Sequence, residues 1–341
     1  MISDINSSIK NLFEQLDKNN GGSIFIVDGS EFLGTVTDGD LRRALIHGFS
    51  LDDGIENVLN TSPVCCIKGA GIKNLAHCLL EDNYEEFPYI EPKRKFIRSI
   101  SREEIKKKFN DANCGVIMAG GLGKRLGAIT ENTPKPLLKV GEEPIISLIL
   151  KRFKKAGILN ILISVNYLSE MIINYCGDGS KFGLNIVYLK EDKRLGTAGA
   201  ISLIDGHFEN YIICNADILS DIDISHFALD RFAGNFDASA AIVLQENQIP
   251  YGVVAFDENK KLGQISEKPK QKFWILSGMY SISQKVKDLV PHNEYTDMPT
   301  LLQKAKENDY SVGCYNNEYQ WIDVGTPETY AVAEAFLEKL N

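Results

Sequence analysis

Long apolar runs are missing from this sequence, and so are the marks of a membrane-bound, secreted or fibrous chain. A membrane-spanning helix needs about 20 consecutive apolar residues, and no stretch approaches that. The opening segment MISDINSSIKNLFEQLDKNN has no basic stretch followed by an apolar one, so no secretory leader is expected. The seven cysteines form no Cys-x-x-Cys pair and do not join the histidines at zinc-finger spacing. Such an odd, scattered set reads as free thiols in a reducing compartment. Cations are in deficit: 37 Lys and Arg against 46 Asp and Glu leave a net charge of −9. That argues against a nucleic-acid partner, whose affinity comes from clustered cations. It leaves room for a small phosphorylated ligand, which needs only a few placed cations. What is there is a 341-residue chain, 44% hydrophobic and 24% charged. This composition is globular, with two or three domains, and a cytoplasmic protein without membrane contact is expected.

Residues 1–20 read as a helix, because Ile5, Ile9, Leu12, Phe13 and Leu16 recur at three- and four-residue steps before Asn19-Asn20-Gly21-Gly22 stops them. Strands follow at 23–28 and 32–36 around a Gly29-Ser30 turn, and Thr37 is placed to cap the next helix. A weaker copy lies 64 residues on, with Thr37 opposite Ser101, Asp40 opposite Glu104 and Leu41 opposite Ile105. A duplication of this size implies two units sharing one core. The polar segment 106–113 reads as a linker, and its triple lysine as the solvated end of a helix.

The two copies resemble a tandem pair of cystathionine-β-synthase (CBS) modules, on Gly34-Thr35-Val36-Thr37-Asp38-Gly39-Asp40 in the first. The resemblance implies an α+β pair over 1–110 in which Thr37 and Asp40 can hold a nucleotide ribose. The residues themselves equally allow a plain helix cap. Arg98 replaces the glycine and Glu104 the aspartate in the second copy, which is therefore degenerate, and the first module is expected to lack its opening strand. A homo-oligomer assembled through this pair is the expected quaternary state.

Residues 114–119 are a short apolar run of buried-strand type that feeds Gly120-Gly121-Leu122-Gly123-Lys124-Arg125-Leu126. A glycine-dense turn after a strand lets backbone N–H groups approach a phosphate, and nearby cations neutralise it. This is neither a P-loop, for want of Gly-Lys-Ser/Thr, nor a dinucleotide fingerprint, whose third glycine is Leu126 here. Shortly after comes Thr133-Pro134-Lys135-Pro136-Leu137-Leu138-Lys139-Val140-Gly141, whose prolines stiffen the backbone on both sides of Lys135. Together, GGLGKRL and TPKPLLKVG resemble the signature of sugar-1-phosphate nucleotidyltransferases. Later segments follow in the family's order: Arg194-Leu195-Gly196-Thr197-Ala198-Gly199, the strand ending Cys214-Asn215-Ala216-Asp217, Tyr251-Gly252, Glu267-Lys268-Pro269, Ser277-Gly278, and Trp321-Ile322-Asp323-Val324-Gly325. Taken singly, Asp217 or Asp323 is equally a turn residue and Glu267-Lys268 an exposed ion pair; the ordered set favours the family.

The resemblance implies a Rossmann-like, GT-A-like α/β domain with a mixed sheet over 111–341. It implies that a nucleoside triphosphate and a sugar 1-phosphate are joined with loss of pyrophosphate. Ala119, Gly120, Gly121 and Gly123 would cradle the triphosphate, with Arg125 on the leaving pyrophosphate, Lys135 on the α-phosphate and Lys268 on the incoming sugar phosphate. Gly196 and Thr197 would complete the nucleotide site. Gly252, Glu267 and Gly278 would hold the sugar, and Asp217 and Asp323 would hold Mg²⁺. Uridylyl and thymidylyl members carry a glutamine near the position of Glu191. A carboxylate only accepts, which suits the donor edge of guanine, so GTP is expected, unless Glu191 is a surface residue of a charged loop. The combination with CBS modules resembles guanylyltransferases that use glucosamine 1-phosphate on the way to legionaminic acid. Mannose 1-phosphate is the next candidate, uridylyl or thymidylyl transfer another, and a CBS-based nucleotide sensor the reading without catalysis.

Overall fold

The chain opens with a strand, β1 (Ile2–Asp4), where the sequence predicts helix. β1 pairs in parallel with β2 (Ser23–Asp28), Ile2 opposite Phe25 and Asp4 opposite Val27. The helix α1 (Ile9–Lys18) starts only after Ser8, whose hydroxyl accepts the Asn11 N–H while Asn11 Oδ1 accepts the Ser8 N–H. This reciprocal cap fixes the helix start, and three residues of strand are too few to show a two-residue period. The computed structural model describes residues 1–19 and 22–340. The Asn20-Gly21 part of the expected helix stop lies outside them.

From β2 the chain turns into β3 (Glu31–Thr37) and α2 (Asp38–Ile46). The same order then recurs as β4 (Cys66–Ile67), α3 (Ile72–Leu80), β5 (Glu86–Ile90), β6 (Phe96–Ser101) and α4 (Arg102–Asp111). Each half is thus strand, helix, strand, strand, helix, with sheets β1-β2-β3 and β4-β5-β6. The first half has its opening strand after all: β1 stands where β4 stands in the second. The halves meet through Phe96, whose ring centroid lies 6.0 Å from that of Phe25 and 6.1 Å from that of Phe32. Arg94 fastens the join by donating to Phe32 O at 3.0 Å and Leu33 O at 2.9 Å. The expected linker is absent as well. α4 runs to Asp111 with Ile105 and Phe109 buried on one face and its three lysines in solvent, and Ala112 alone precedes the next strand. The polar composition of 106–113 is that of a helix's outer face.

Contacts divide the chain into Met1–Ala112 and Asn113–Asn341. The second unit begins with β7 (Asn113–Met118), buried along all but its last residue, as a central strand covered on both faces must be. The short pair β8 (Lys139–Val140) and β9 (Glu143–Pro144) leads to α5 (Ile145–Ala156). Ile145, Ile146, Ile149, Leu150 and Phe153 give α5 one apolar stripe, and Gly157 ends it in the left-handed region. β10 (Asn160–Val165), α6 (Ser169–Cys176), β11 (Asn185–Lys190), the single turn α7 (Gly196–Gly199), β12 (Asn210–Asn215), β13 (Ile218–Ser220) and α8 (Ile224–Ala233) follow. The long β14 (Ala238–Gln248) and β17 (Lys270–Ser283) flank a hairpin of β15 (Val253–Phe256) and β16 (Leu262–Ser266). α9 (Gln284–Lys287), α10 (Met298–Glu307), β18 (Val312–Tyr315), β19 (Trp321–Asp323) and α11 (Pro327–Leu340) complete the unit.

Seven strands form its main sheet in the order β11-β10-β7-β12-β17-β14-β18. β11, β10, β7 and β12 run parallel; β17 is antiparallel to β12 and β14. This is the mixed α/β architecture expected. The outer ends of β14 and β17 leave the core as an exposed two-stranded ribbon that carries the β15–β16 hairpin. Among the described residues no helix is long and apolar enough to cross a membrane, and all seven cysteines are free.

Candidate active site

In open α/β sheets, ligands bind beyond the carboxyl ends of the parallel strands. The glycine-rich loop leaves β7 at that end, Asp217 follows β12, Ser164 lies near the end of β10, and Glu191 directly follows β11. Ala119 holds the loop's first step by donating its N–H to Ser164 O at 3.0 Å. A Cβ at Gly120 would lie 2.3 Å from Glu191 Oε1, so any larger residue there would displace the Glu191 carboxylate. Gly123 takes a left-handed conformation (φ +64°), and its carbonyl accepts the Thr130 hydroxyl at 2.9 Å. The loop so formed borders a cavity of about 300 Å³, lined also by Arg125, Lys135 and Asp217.

Lys135 is the centre of this cavity's charge. Pro134 sets the entry to a 3₁₀ turn over Lys135–Leu137, and the lysine is only 8% exposed. Its ammonium donates to Asp217 Oδ2 at 2.5 Å and lies 3.5 Å from Asp323 Oδ1. Arg125 Nη2 stands 3.6 Å from Asp323 Oδ2. Gly325 makes room for this, since a Cβ would come within 2.9 Å of Asp323 Oδ1 and 3.0 Å of the Arg125 guanidinium. Burial first, and the Asp217 carboxylate second, push the Asp323 carboxyl above its usual range against the pull of Lys135 and Arg125. Asp323 Oδ1 is buried without a hydrogen-bond partner among the described residues. Two carboxylates whose mutual repulsion Lys135 only partly offsets, one with an oxygen lacking a hydrogen bond, are a hard-oxygen pair that fits a divalent ion such as Mg²⁺. Among the described residues no group of three or more His, Cys, Asp or Glu is placed to hold a metal. Substrate phosphates and waters would therefore supply the other ligands, as Mg²⁺ commonly requires.

Glu191 is not a surface residue of a charged loop. It is 9% exposed; Ser164 Oγ donates to Oε1, and the Leu195 N–H donates to Oε2 at 3.0 Å. With Gly120, Gly196 and Thr197 it lines a second cavity of about 180 Å³, which Asp217 also borders. Tyr295 and Asp297, which no sequence motif singles out, also line this cavity. Asp297 occupies the N-cap position of α10 but makes no cap; its Oδ1 accepts the Thr197 N–H at 3.0 Å and Oδ2 the Tyr295 hydroxyl at 2.8 Å. Thr197 Oγ1 in turn accepts the Met298 N–H at 2.9 Å, so loop and helix cap each other. Burial raises the Asp297 carboxyl, but the bonds from Thr197 and Tyr295 outweigh it and hold the group below its ordinary value. Asp-Met-Pro at a helix start is a readable signal; that it clamps a loop 100 residues away is not.

The expected sugar-site residues divide. Gly278 backs onto Asn215, two residues before Asp217. Gly252 and Glu267 stand together on the exposed arm, Glu267 Oε2 lying 3.1 Å from where a Gly252 Cβ would be. Lys268 adjoins them at φ +44°, a region that non-glycine residues seldom enter, with its N–H donating to Tyr251 O at 3.3 Å. Among the described residues no hydrogen bond or ion pair joins the Lys268 or Glu267 side chain to the Lys135 cluster. In the other unit, Thr37 and Asp40 form a capping box. The Thr37 hydroxyl donates to Asp40 Oδ2 at 2.6 Å, the Thr37 N–H donates there at 2.8 Å, and Arg43 pairs with the other carboxylate oxygen.

A family model described as nucleotidyl transferase matches residues 114–340. The chain belongs to that family. Among its relatives is a mannose-1-phosphate guanylyltransferase of Mycobacterium tuberculosis, 29% identical over 231 residues, 65% of this chain and 64% of that one. A UTP–glucose-1-phosphate uridylyltransferase of Synechocystis is 29% identical over 238 residues, 63% of this chain and 61% of that one. The chain thus spans less than two thirds of the length of these two. A D-glycero-alpha-D-manno-heptose 1-phosphate guanylyltransferase of Campylobacter jejuni is 30% identical over 219 residues, 63% of this chain and 96% of that one. The structure of HddC from Yersinia pseudotuberculosis complexed with GMP-PN aligns with a TM-score of 0.52 over 66% of this chain and 99% of that one. At 24% identity it shares the family's fold.

Proposed function

We propose that the chain joins GTP to a hexose 1-phosphate, glucosamine 1-phosphate before mannose 1-phosphate, to give a GDP-sugar and pyrophosphate. A phosphate oxygen of the sugar 1-phosphate attacks the α-phosphorus as the bond to the β-phosphate oxygen breaks, so no protein nucleophile is needed. The barrier is the meeting of two anions, and positioned charge lowers it. The observation that carries the reading is Lys135, a buried ammonium fixed between two carboxylates beside the cavity that the glycine-rich loop borders. In this reading the amides of 119–123 receive the triphosphate, Arg125 the departing pyrophosphate, Lys135 the α-phosphate and Lys268 the sugar phosphate. Asp217 and Asp323 are the pair to hold Mg²⁺, which would neutralise phosphate oxygens.

Guanine is favoured by Glu191. Each of its oxygens already accepts one hydrogen bond and keeps a further lone pair for the N–H edge of the base. A uridylyltransferase among the relatives makes UTP the competitor. The test is Mg²⁺-dependent pyrophosphate release across GTP, UTP, dTTP, CTP and ATP with glucosamine, N-acetylglucosamine, mannose and glucose 1-phosphates. GTP with glucosamine 1-phosphate should lead; UTP or dTTP clearly outrunning GTP overturns the guanine assignment.

For residues 1–112 we propose a CBS pair that takes a nucleotide. Support comes from the repeated order of elements and a cavity of about 920 Å³ that Thr37 lines together with Arg43, Tyr84 and Ser99. Asp40, held by the capping box, acts there by fixing Thr37.

A further inference from the structure

The two cavities beside the glycine-rich loop adjoin, and their charges are opposite. Among the described residues, the wall of the first has four cations, Lys124, Arg125, Lys135 and Arg194, against the carboxylate of Asp217. The wall of the second has three carboxylates, Glu191, Asp217 and Asp297, against Arg194. An anion is drawn to the first and repelled by the second. A nucleotide lying across both therefore has its phosphates in the first cavity and its uncharged nucleoside in the second. Arg194 and Asp217 belong to both walls, as do Met118 and Gly121. These residues mark the junction, which is where such a nucleotide carries its α-phosphate.

We propose that Arg194 is a phosphate-binding residue of the reaction, its guanidinium holding the α-phosphate together with Lys135. The proposal rests on the nucleotidyltransferase reading of the site and adds a residue to it. Lys135 and Arg125 are already paired with Asp217 and Asp323, and Lys124 borders the first cavity alone. Arg194 is the cation at the junction, and among the described residues no hydrogen bond or ion pair holds its guanidinium. The Asp297 carboxylate is near enough to feel its charge. Both oxygens of that carboxylate are already bonded, however, Oδ1 to Thr197 and Oδ2 to Tyr295. The backbone beside Arg194 is anchored, since the next residue, Leu195, is buried and donates its N–H to Glu191 Oε2. An exposed side chain on a fixed backbone can turn to a phosphate without moving the loop. Its planar fork can then donate two parallel N–H bonds, which an ammonium cannot.

Isothermal titration calorimetry of the full chain with GTP, GMP and guanosine tests it. Arg194→Ala should raise the Kd of GTP and of GMP alike, on the order of 10- to 100-fold, because both carry the α-phosphate. Guanosine, which has none, should bind the variant within about two-fold of the unmodified chain. Arg194→Lys should fall between the two, keeping the charge but not the fork. Circular dichroism checks the fold, and Arg194→Gln gives the same comparison should the alanine variant fail it. Unchanged binding of GTP and GMP overturns the proposal. So does an equal loss for guanosine, which would mean that Arg194 acts on the nucleoside through Asp297. If UTP binds in place of GTP, then UTP, UMP and uridine give the same comparison, so the base assignment can fail without it. An unmodified chain that binds no nucleotide overturns the reaction and the proposal together, whereas binding that ignores the substitution overturns the proposal alone.

Discussion

Lys135 is buried and held between Asp217 and Asp323, whereas Lys268 stands on an exposed arm where, among the described residues, its backbone alone is hydrogen-bonded. Both are placed on phosphates in the proposed reaction, yet the molecule prepares them in opposite ways. The first is pre-organised: its geometry is complete before any substrate arrives, and low surrounding polarity strengthens whatever charge it meets. The second is held by backbone alone, in a left-handed conformation (φ +44°) that costs a non-glycine residue on the order of 1 kcal/mol. In the proposed reaction the lysine that stabilises the transition state is the buried one in a 3₁₀ turn, and the lysine that admits and releases the sugar is the one on the projecting arm.

The sharpest way to break this comparison is to remove each ammonium. Lys135→Ala should lower kcat on the order of 10³-fold, because the lost charge acts on the reacting phosphate. Pyrophosphate release with saturating GTP and sugar 1-phosphate measures it, and a kcat within a few-fold of the unmodified enzyme would remove Lys135 from the reaction. Lys268→Ala should act mainly on binding, raising the KM for the sugar 1-phosphate roughly 10- to 100-fold with a smaller change in kcat. A kcat loss matching that of Lys135→Ala would mean that the arm closes onto the reacting centre and is as pre-organised as the buried cluster.

How much of this was legible differs between the two regions. The strand β7 and its glycine-rich loop are read directly, because a continuous apolar run broken by glycines has few other structural meanings. The prolines around Lys135 announce a fixed lysine, but its partner Asp217 is 82 residues away, beyond any local pattern. Burial of Glu191 is equally hidden, since Lys190-Glu191-Asp192-Lys193-Arg194 has the composition of a solvated loop and only Ser164 and Leu195 reveal otherwise. The strands of the arm are not legible in advance, because segments such as Val253-Val254-Ala255-Phe256 show no polar–apolar alternation. The opening strand β1 is illegible because three residues cannot show a period, and 106–113 has the look of a linker because one buried face, Ile105 and Phe109, is hidden among lysines.

A third lysine gives the finest control. Lys270 on the arm lies 2.7 Å from Glu246, almost the separation of Lys135 and Asp217, but both side chains of this pair face water. Their mutual hydrogen bond raises the Lys270 pKa and lowers that of Glu246, so the pair is fully charged at neutral pH. Solvent and salt screen it nonetheless, and holding two long side chains together costs their rotamer freedom. Lys270→Ala should therefore leave Tm within about 1 °C of the parent, as exposed pairs generally do. Scanning calorimetry at low and at physiological salt would show it. A Tm loss of several degrees that persists in salt would mean that the pair is worth far more than an exposed one and that screening does not reach it.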